Sequence, residues 1–196
     1  MTERRTSEFY NQEYYEKLGI LQRLQEYQIL KIKTEPALMQ MAGYTRRWKP
    51  ENALVIGCAF GFLVEALESL EHVPATGIDI SEFAVNIARE KFNNHGVELG
   101  DVCEMRFGDD EFEYTICTRV LEEIRNEDID KVVSEIIRVT NNIILISIAR
   151  KPDLRYSFLN VHDDKWWIEK FQSKGVKLIF QDTFDTDYFL VFEVSS

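Results

Sequence analysis

The stretch Leu54-Val55-Ile56-Gly57-Cys58-Ala59-Phe60-Gly61-Phe62, with Gly77-Ile78-Asp79-Ile80-Ser81 close behind it, decides the fold. The first piece reads as a strand buried on both faces that runs into a glycine-bearing turn and then a helix. The second reads as another strand, ending on an acid. In a parallel α/β sheet, an acid at the tip of the second strand can accept both hydroxyls of a ribose. The turn after the first strand lets a ligand approach the backbone. A nucleoside-containing cofactor is the leading expectation.

Outward from that pair, strand and helix patterns alternate. Ala53 to Cys58 is an apolar strand, Phe62 to Leu70 a helix and Thr76 to Ile80 the next strand. Ser81 caps a helix from Glu82 to Asn93 that stops at Asn94-His95-Gly96. Val97 to Gly100 is a short strand and Tyr114 to Thr118 a better one. A helix from Glu127 to Arg138 leads to a strand from Ile143 to Ile148. Asp163 or Asp164 caps a helix that carries Trp166, Trp167, Ile168 and Phe171 and stops at Gly175. Lys177 to Gln181 and Tyr188 to Val194 read as a closing β-hairpin. Upstream, residues 8–46 are helical in pattern, with an apolar face on Ile20, Leu21, Leu24, Tyr27, Ile29 and Leu30. Thr34 and Pro36 restart a second helix carrying Leu38, Met39, Met41 and Ala42, and Lys49-Pro50 ends it. The layout predicts a Rossmann-like, seven-stranded, mostly parallel sheet with helices on both faces and an antiparallel C-terminal pair. Residues 1–48 are expected to form a helical cap, and 49–196 the cofactor-binding domain.

Composition narrows the function classes. The chain has 196 residues, 45% of them hydrophobic, enough for a full core without disulfides. A formal charge of -11 works against a nucleic-acid substrate, because phosphates meet a repulsive average field. Arg46, Arg47 and Lys49 make only a small basic patch. Cys58, Cys103 and Cys117 have no metal-ligand spacing and read as buried thiols in a reducing compartment, so no metal is expected. Met1 to Tyr10 is polar, unlike a signal peptide, and no apolar run has the length of a membrane span. A cytoplasmic monomer or homodimer is expected.

The glycine spacing argues against a nicotinamide dinucleotide. That fingerprint places three glycines as G-x-G-x-x-G, whereas here Ala59 lies between Gly57 and Gly61 and Phe62 takes the third position. Read together in this order, the motifs resemble those of class I S-adenosylmethionine-dependent methyltransferases, over roughly residues 50–195. In that resemblance Gly57, Cys58, Ala59, Phe60 and Gly61 form the loop under the methionine and ribose. Asp79 takes the ribose hydroxyls and Ile80 packs on adenine. Asp101 reads the adenine amino group and Val102 meets the ring. Thr118 and Val120 lie beneath the sulfonium, and Ile136-Ile137-Arg138-Val139-Thr140 leads into the fifth strand. The cofactor implied is S-adenosyl-L-methionine, with S-adenosyl-L-homocysteine as product. The reaction implied is methyl transfer to the oxygen or nitrogen of a small-molecule acceptor. The N-terminal helices would form a lid, with an aromatic among Tyr10, Tyr14 and Tyr15 touching the cofactor.

Each of these residues also has a plainer reading. Asp79 stands where it could cap the following helix, although Ser81 is better placed for that. Asp101 could be a turn residue bonded to its own backbone. His162 is the candidate general base, in the loop from Arg150 to Asp164 where this fold builds its acceptor pocket. It could equally be a surface histidine leading a helix. Three departures from the family pattern stand out: Val55 replaces the usual acid, Ala59 the usual glycine, and Glu123 a frequent histidine. A methyl at 59 is tolerable if φ there is negative. The alternative they motivate is a degenerate, cofactor-binding or scaffold subunit of the same fold.

Overall fold

A computed structural model describes residues 4–19, 21, 36–92, 96–151, 158–184 and 186–195. Expectations for Ile20, Leu24, Tyr27, Ile29, Leu30, Thr34, residues 93–95 and residues 152–157 lie outside these, as do those for the side chains of Leu38 and Met39. The elements run α1 (Gln12–Lys17), α2 (Pro36–Trp48), β1 (Ala53–Ile56), α3 (Phe62–Leu70), β2 (Ala75–Asp79), α4 (Glu82–Phe92) and β3 (Val97–Leu99). There follow β4 (Phe112–Thr118), a 3-10 turn (Leu121–Glu123), α5 (Ile129–Arg138), β5 (Thr140–Ala149), α6 (Asp164–Gln172), β6 (Lys177–Phe184) and β7 (Asp187–Glu193).

The seven strands form one sheet in the order β3-β2-β1-β4-β5-β7-β6. The first five are parallel to their neighbours, while β7 runs antiparallel to both β5 and β6. Side chains alternate across the sheet as strand geometry requires. Ala53 and Val55 of β1 join Ile143 and Leu145 of β5 in one apolar cluster. Leu54 and Ile56 join Ile144 and Ile146 in the other. Val64 and Leu67 of α3 and Val85 and Ala88 of α4 cover the first face. Val132 and Ile136 of α5 and Trp167 and Phe171 of α6 cover the second. Helices therefore lie on both faces, as expected.

Met41 and Ala42 of α2 belong to the same cluster as β1, and Trp48 stacks on Tyr114 with ring centroids 6.0 Å apart. This helix is thus part of the layer over the sheet. The segment Arg4–Leu18 packs elsewhere, at the end of the sheet where the strand order reverses between β1 and β4. Reversal of strand order leaves a crevice at the carboxyl ends of the central strands, because the connections leave in opposite directions there. Among the described residues, no helix is long and apolar enough to cross a membrane.

Candidate functional site

A cavity of about 470 Å³ opens along this carboxyl edge, within the roughly 300–1,000 Å³ range of small-ligand sites. It runs from the loop after β3, through the tips of β2, β1 and β4, to the β6–β7 turn. Nine of the residues expected to bind cofactor line it: Gly57, Cys58, Ala59, Asp79, Ile80, Asp101, Val102, Thr118 and Val120. Phe60, Gly61 and His162 are not among the lining residues.

The turn after β1 is built from left-handed residues. Gly57, Ala59 and Gly61 have φ of 71°, 46° and 78°. Gly57 is required twice over: a side chain there would be strained, and its Cβ would lie 2.1 Å from Val120 Cγ2. The tolerance expected at Ala59 fails, since φ there is positive. An alanine in this region costs of order 1–2 kcal/mol relative to an ordinary conformation. The conformation turns the Ala59 N–H toward β2, where it donates to Asp79 Oδ2 at 2.8 Å. Arg119, on the opposite wall after β4, is also left-handed, with φ 55°. Phe60 is turned away from the cavity and buried, packing on Tyr15 at 4.9 Å and near Phe83 at 6.4 Å. Gly61 caps α3 from a left-handed conformation. These two residues support the loop from behind rather than facing a ligand.

Asp79 is buried at the tip of β2. Its Oδ1 accepts from the Ser81 N–H at 2.8 Å. The cap of α4 is Ser81, whose Oγ accepts from the Ala84 N–H at 3.1 Å. Burial pushes the Asp79 carboxyl up to about 6, against the two backbone donors that favour the ion. Each oxygen thus keeps acceptor capacity toward the cavity. Asp101 has the turn geometry of its plainer reading, Oδ1 accepting from the Cys103 N–H at 2.8 Å, while Oδ2 is paired with Arg4, a contact the motif order did not indicate.

Motif order indicates less of the cavity's charged frame. Arg4 pairs with Asp101, Arg5 with Glu123, Arg119 with Asp187 and Arg125 with Asp128. All eight side chains line the cavity. Asp79 is the lining acid that has no arginine partner among the described residues. Ser147 reinforces Asp187, donating to its Oδ2 at 2.9 Å. Apart from Asp101 and Glu123, none of these residues belongs to a motif read from the sequence, and two arginines come from a segment whose sequence reads only as a polar lead-in.

His162 lies apart from the residues that line the cavity. Its ring stacks on Trp166 at 3.7 Å and meets Trp167 edge-on at 6.0 Å, with Nε2 buried and unpartnered among the described residues. Desolvation lowers its pKa. Trp166 and Trp167, themselves edge-on at 4.7 Å, thus form with the imidazole an aromatic ladder at the start of α6.

Comparison with known proteins matches residues 53–142 to the methyltransferase domain family. The wider chain shares its fold with solved structures at low identity. Magnesium protoporphyrin IX methyltransferase from Synechocystis PCC 6803, solved with bound SAH, superposes with a TM-score of 0.75 at 15% identity, covering 96% of this chain and 98% of that one. The PH0226 protein from Pyrococcus horikoshii OT3 gives 0.70 at 17% identity, covering 87% and 99%. A SAM-dependent methyltransferase from Aquifex aeolicus gives 0.64 at 16%, covering 84% and 97%. The matched segment spans β1 to the start of β5, and so includes the β1, β2 and β4 tips that frame the crevice.

Proposed function

We propose that the crevice binds S-adenosylmethionine and that the protein transfers its methyl group to a small-molecule oxygen or nitrogen acceptor. One observation carries the reading: a buried carboxylate, Asp79, is held by two backbone N–H groups at the rim of a left-handed glycine turn, with acceptor capacity left toward the cavity. Two vicinal ribose hydroxyls are the donors that such a group fits. Asp101 and the backbone at Val102 would hold the adenine end, while Gly57 to Ala59 and Thr118 would support the amino-acid end.

The bound cofactor would supply an already activated methyl group. The protein's own task is then to align the acceptor and exclude water. Tyr14, Tyr15 and Leu18 roof the cavity, and Met41, Phe62, Leu63 and Phe184 give its wall an apolar lining. At the β6–β7 end Arg119, Thr186 and Asp187 supply a polar boundary. That lining suits an acceptor with an apolar body and one polar group.

The test is thermal and calorimetric. S-adenosylhomocysteine at 100 times its Kd should stabilise the native state by about 2.7 kcal/mol, raising Tm by roughly 5–10 °C for a chain of this size. Asp79→Ala should weaken binding by about 1.5–3 kcal/mol, the scale of lost charge-assisted hydrogen bonds. No shift with either S-adenosylmethionine or S-adenosylhomocysteine at millimolar concentration would sink the reading.

A further inference from the structure

Glu123 lies in the 3-10 turn at the edge of the cavity, and its side chain is only 6% exposed. Among the described residues, the donors that satisfy its carboxylate all come from the N-terminal segment. Arg5 Nη1 and Tyr10 OH donate to Oε2 at 2.8 and 2.9 Å, and Tyr14 OH donates to Oε1 at 2.6 Å. A six-residue helix such as α1 cannot hold itself together in water, so its place must come from contacts like these. The other fastenings are dispersed over several elements. Ser81 Oγ donates to the Tyr10 carbonyl, the Glu82 N–H donates to Ser7 Oγ at 3.0 Å, and Tyr15 packs on Phe60. Consecutive arginines straddle the crevice, Arg4 reaching Asp101 beyond β3 and Arg5 reaching Glu123 beyond β4. One buried carboxylate thus collects three hydrogen bonds from 118, 113 and 109 residues away in sequence.

We propose that Glu123 is a positioning residue whose carboxylate anchors Arg4–Leu18 across the crevice, and that this anchor sets how fast the cofactor enters and leaves. The kinetic half rests on the S-adenosylmethionine reading; the anchoring half does not. The anchor is electrostatic, because a neutral isostere keeps the shape but loses the strength of charge-assisted bonds.

Hydrogen exchange read by mass spectrometry on the full chain tests it, comparing wild type with Glu123→Gln and with the double variant Tyr10→Phe/Tyr14→Phe. Both variants should speed exchange of amides in residues 9–18 by roughly 10- to 100-fold, while the strands keep wild-type protection and Tm stays close to wild type. Stopped-flow displacement should show S-adenosylhomocysteine leaving faster by a similar factor. Unchanged exchange at 9–18 in the double variant, or equal acceleration in the strands, overturns the anchor. Accelerated exchange with an unchanged dissociation rate overturns the kinetic half. Should Glu123→Gln fail to fold, the double variant decides, since it keeps both rings, the carboxylate and Arg5. Should the wild type bind no S-adenosylhomocysteine, the cofactor reading falls, and the exchange comparison still decides the anchor.

Discussion

Asp79 is asked to hold a ligand from a place where its charge is costly. Its ordinary value is 3.8, and burial lifts it to about 6. An acid whose folded value lies above its unfolded one takes up protons on folding. It therefore stabilises the native state below about pH 4, and that contribution is lost as the pH rises through about 6. Ribose hydroxyls donate, so they favour the ionised form and oppose that shift. Binding should consequently strengthen as pH rises, the reverse of what this group does to stability. If only the carboxylate form binds, the Kd for S-adenosylhomocysteine should be about tenfold weaker at pH 5 than at pH 7. Calorimetry at pH 5, 6 and 7 checks this, and the dependence should vanish in Asp79→Asn. A Kd constant over the range would mean that Asp79 does not meet the ligand.

At the scale of elements, the β1–α3 turn concentrates the strain of the site. Three left-handed residues in five positions fold the backbone tightly enough for the Ala59 N–H to reach Asp79. Two are glycines and adopt this conformation freely; Ala59 does not. Ala59→Gly should therefore stabilise the protein, the relief of about 1–2 kcal/mol being partly offset by about 0.4–1 kcal/mol of extra unfolded-state freedom. A net gain near 0.5–1 kcal/mol corresponds to roughly 1–4 °C in Tm, and a lowered Tm would show that the alanine methyl contributes more by packing than it costs in backbone. Such elements were largely legible beforehand. The helix Phe62–Leu70 follows from local pattern, as does a cap at Asp163 or Asp164, and it is Asp163 Oδ1 that accepts from the Trp166 N–H at 2.9 Å. Strand ends were less legible: β5 begins at Thr140, three residues before the apolar run, because strand pairing extends into polar residues that carry no hydrophobic signal. The site divides in the same way. Residues held by their own turn or strand tip, such as Gly57, Asp79 and Asp101, could be found from motif order. Arg4, Arg5, Glu123 and Asp187 could not be found as a set, since chain-distant pairing brings them together. His162 was read from its loop alone, and its stacking partner, Trp166, belongs to the helix that follows.

For the whole molecule, the acidic field and the crevice act on the ligand's charge together. The formal charge is -11, and the four arginine–acid pairs around the cavity cancel locally, leaving Asp79 uncompensated. S-adenosylmethionine carries one net positive charge at neutral pH, from its sulfonium, ammonium and carboxylate. S-adenosylhomocysteine has lost the sulfonium charge and is net neutral. A field of this sign therefore favours the methyl donor over the spent product, and does so at long range. Between 0.01 and 0.15 M ionic strength the screening length falls from about 30 Å to about 8 Å, which removes much of that attraction. Affinity for S-adenosylmethionine should fall by about three- to fivefold over that interval, while affinity for S-adenosylhomocysteine changes little. Parallel calorimetric titrations at the two salt concentrations separate the cases. Equal slopes for the two ligands would show that binding responds to local hydrogen bonds alone, and that the acidic surface has no part in choosing donor over product.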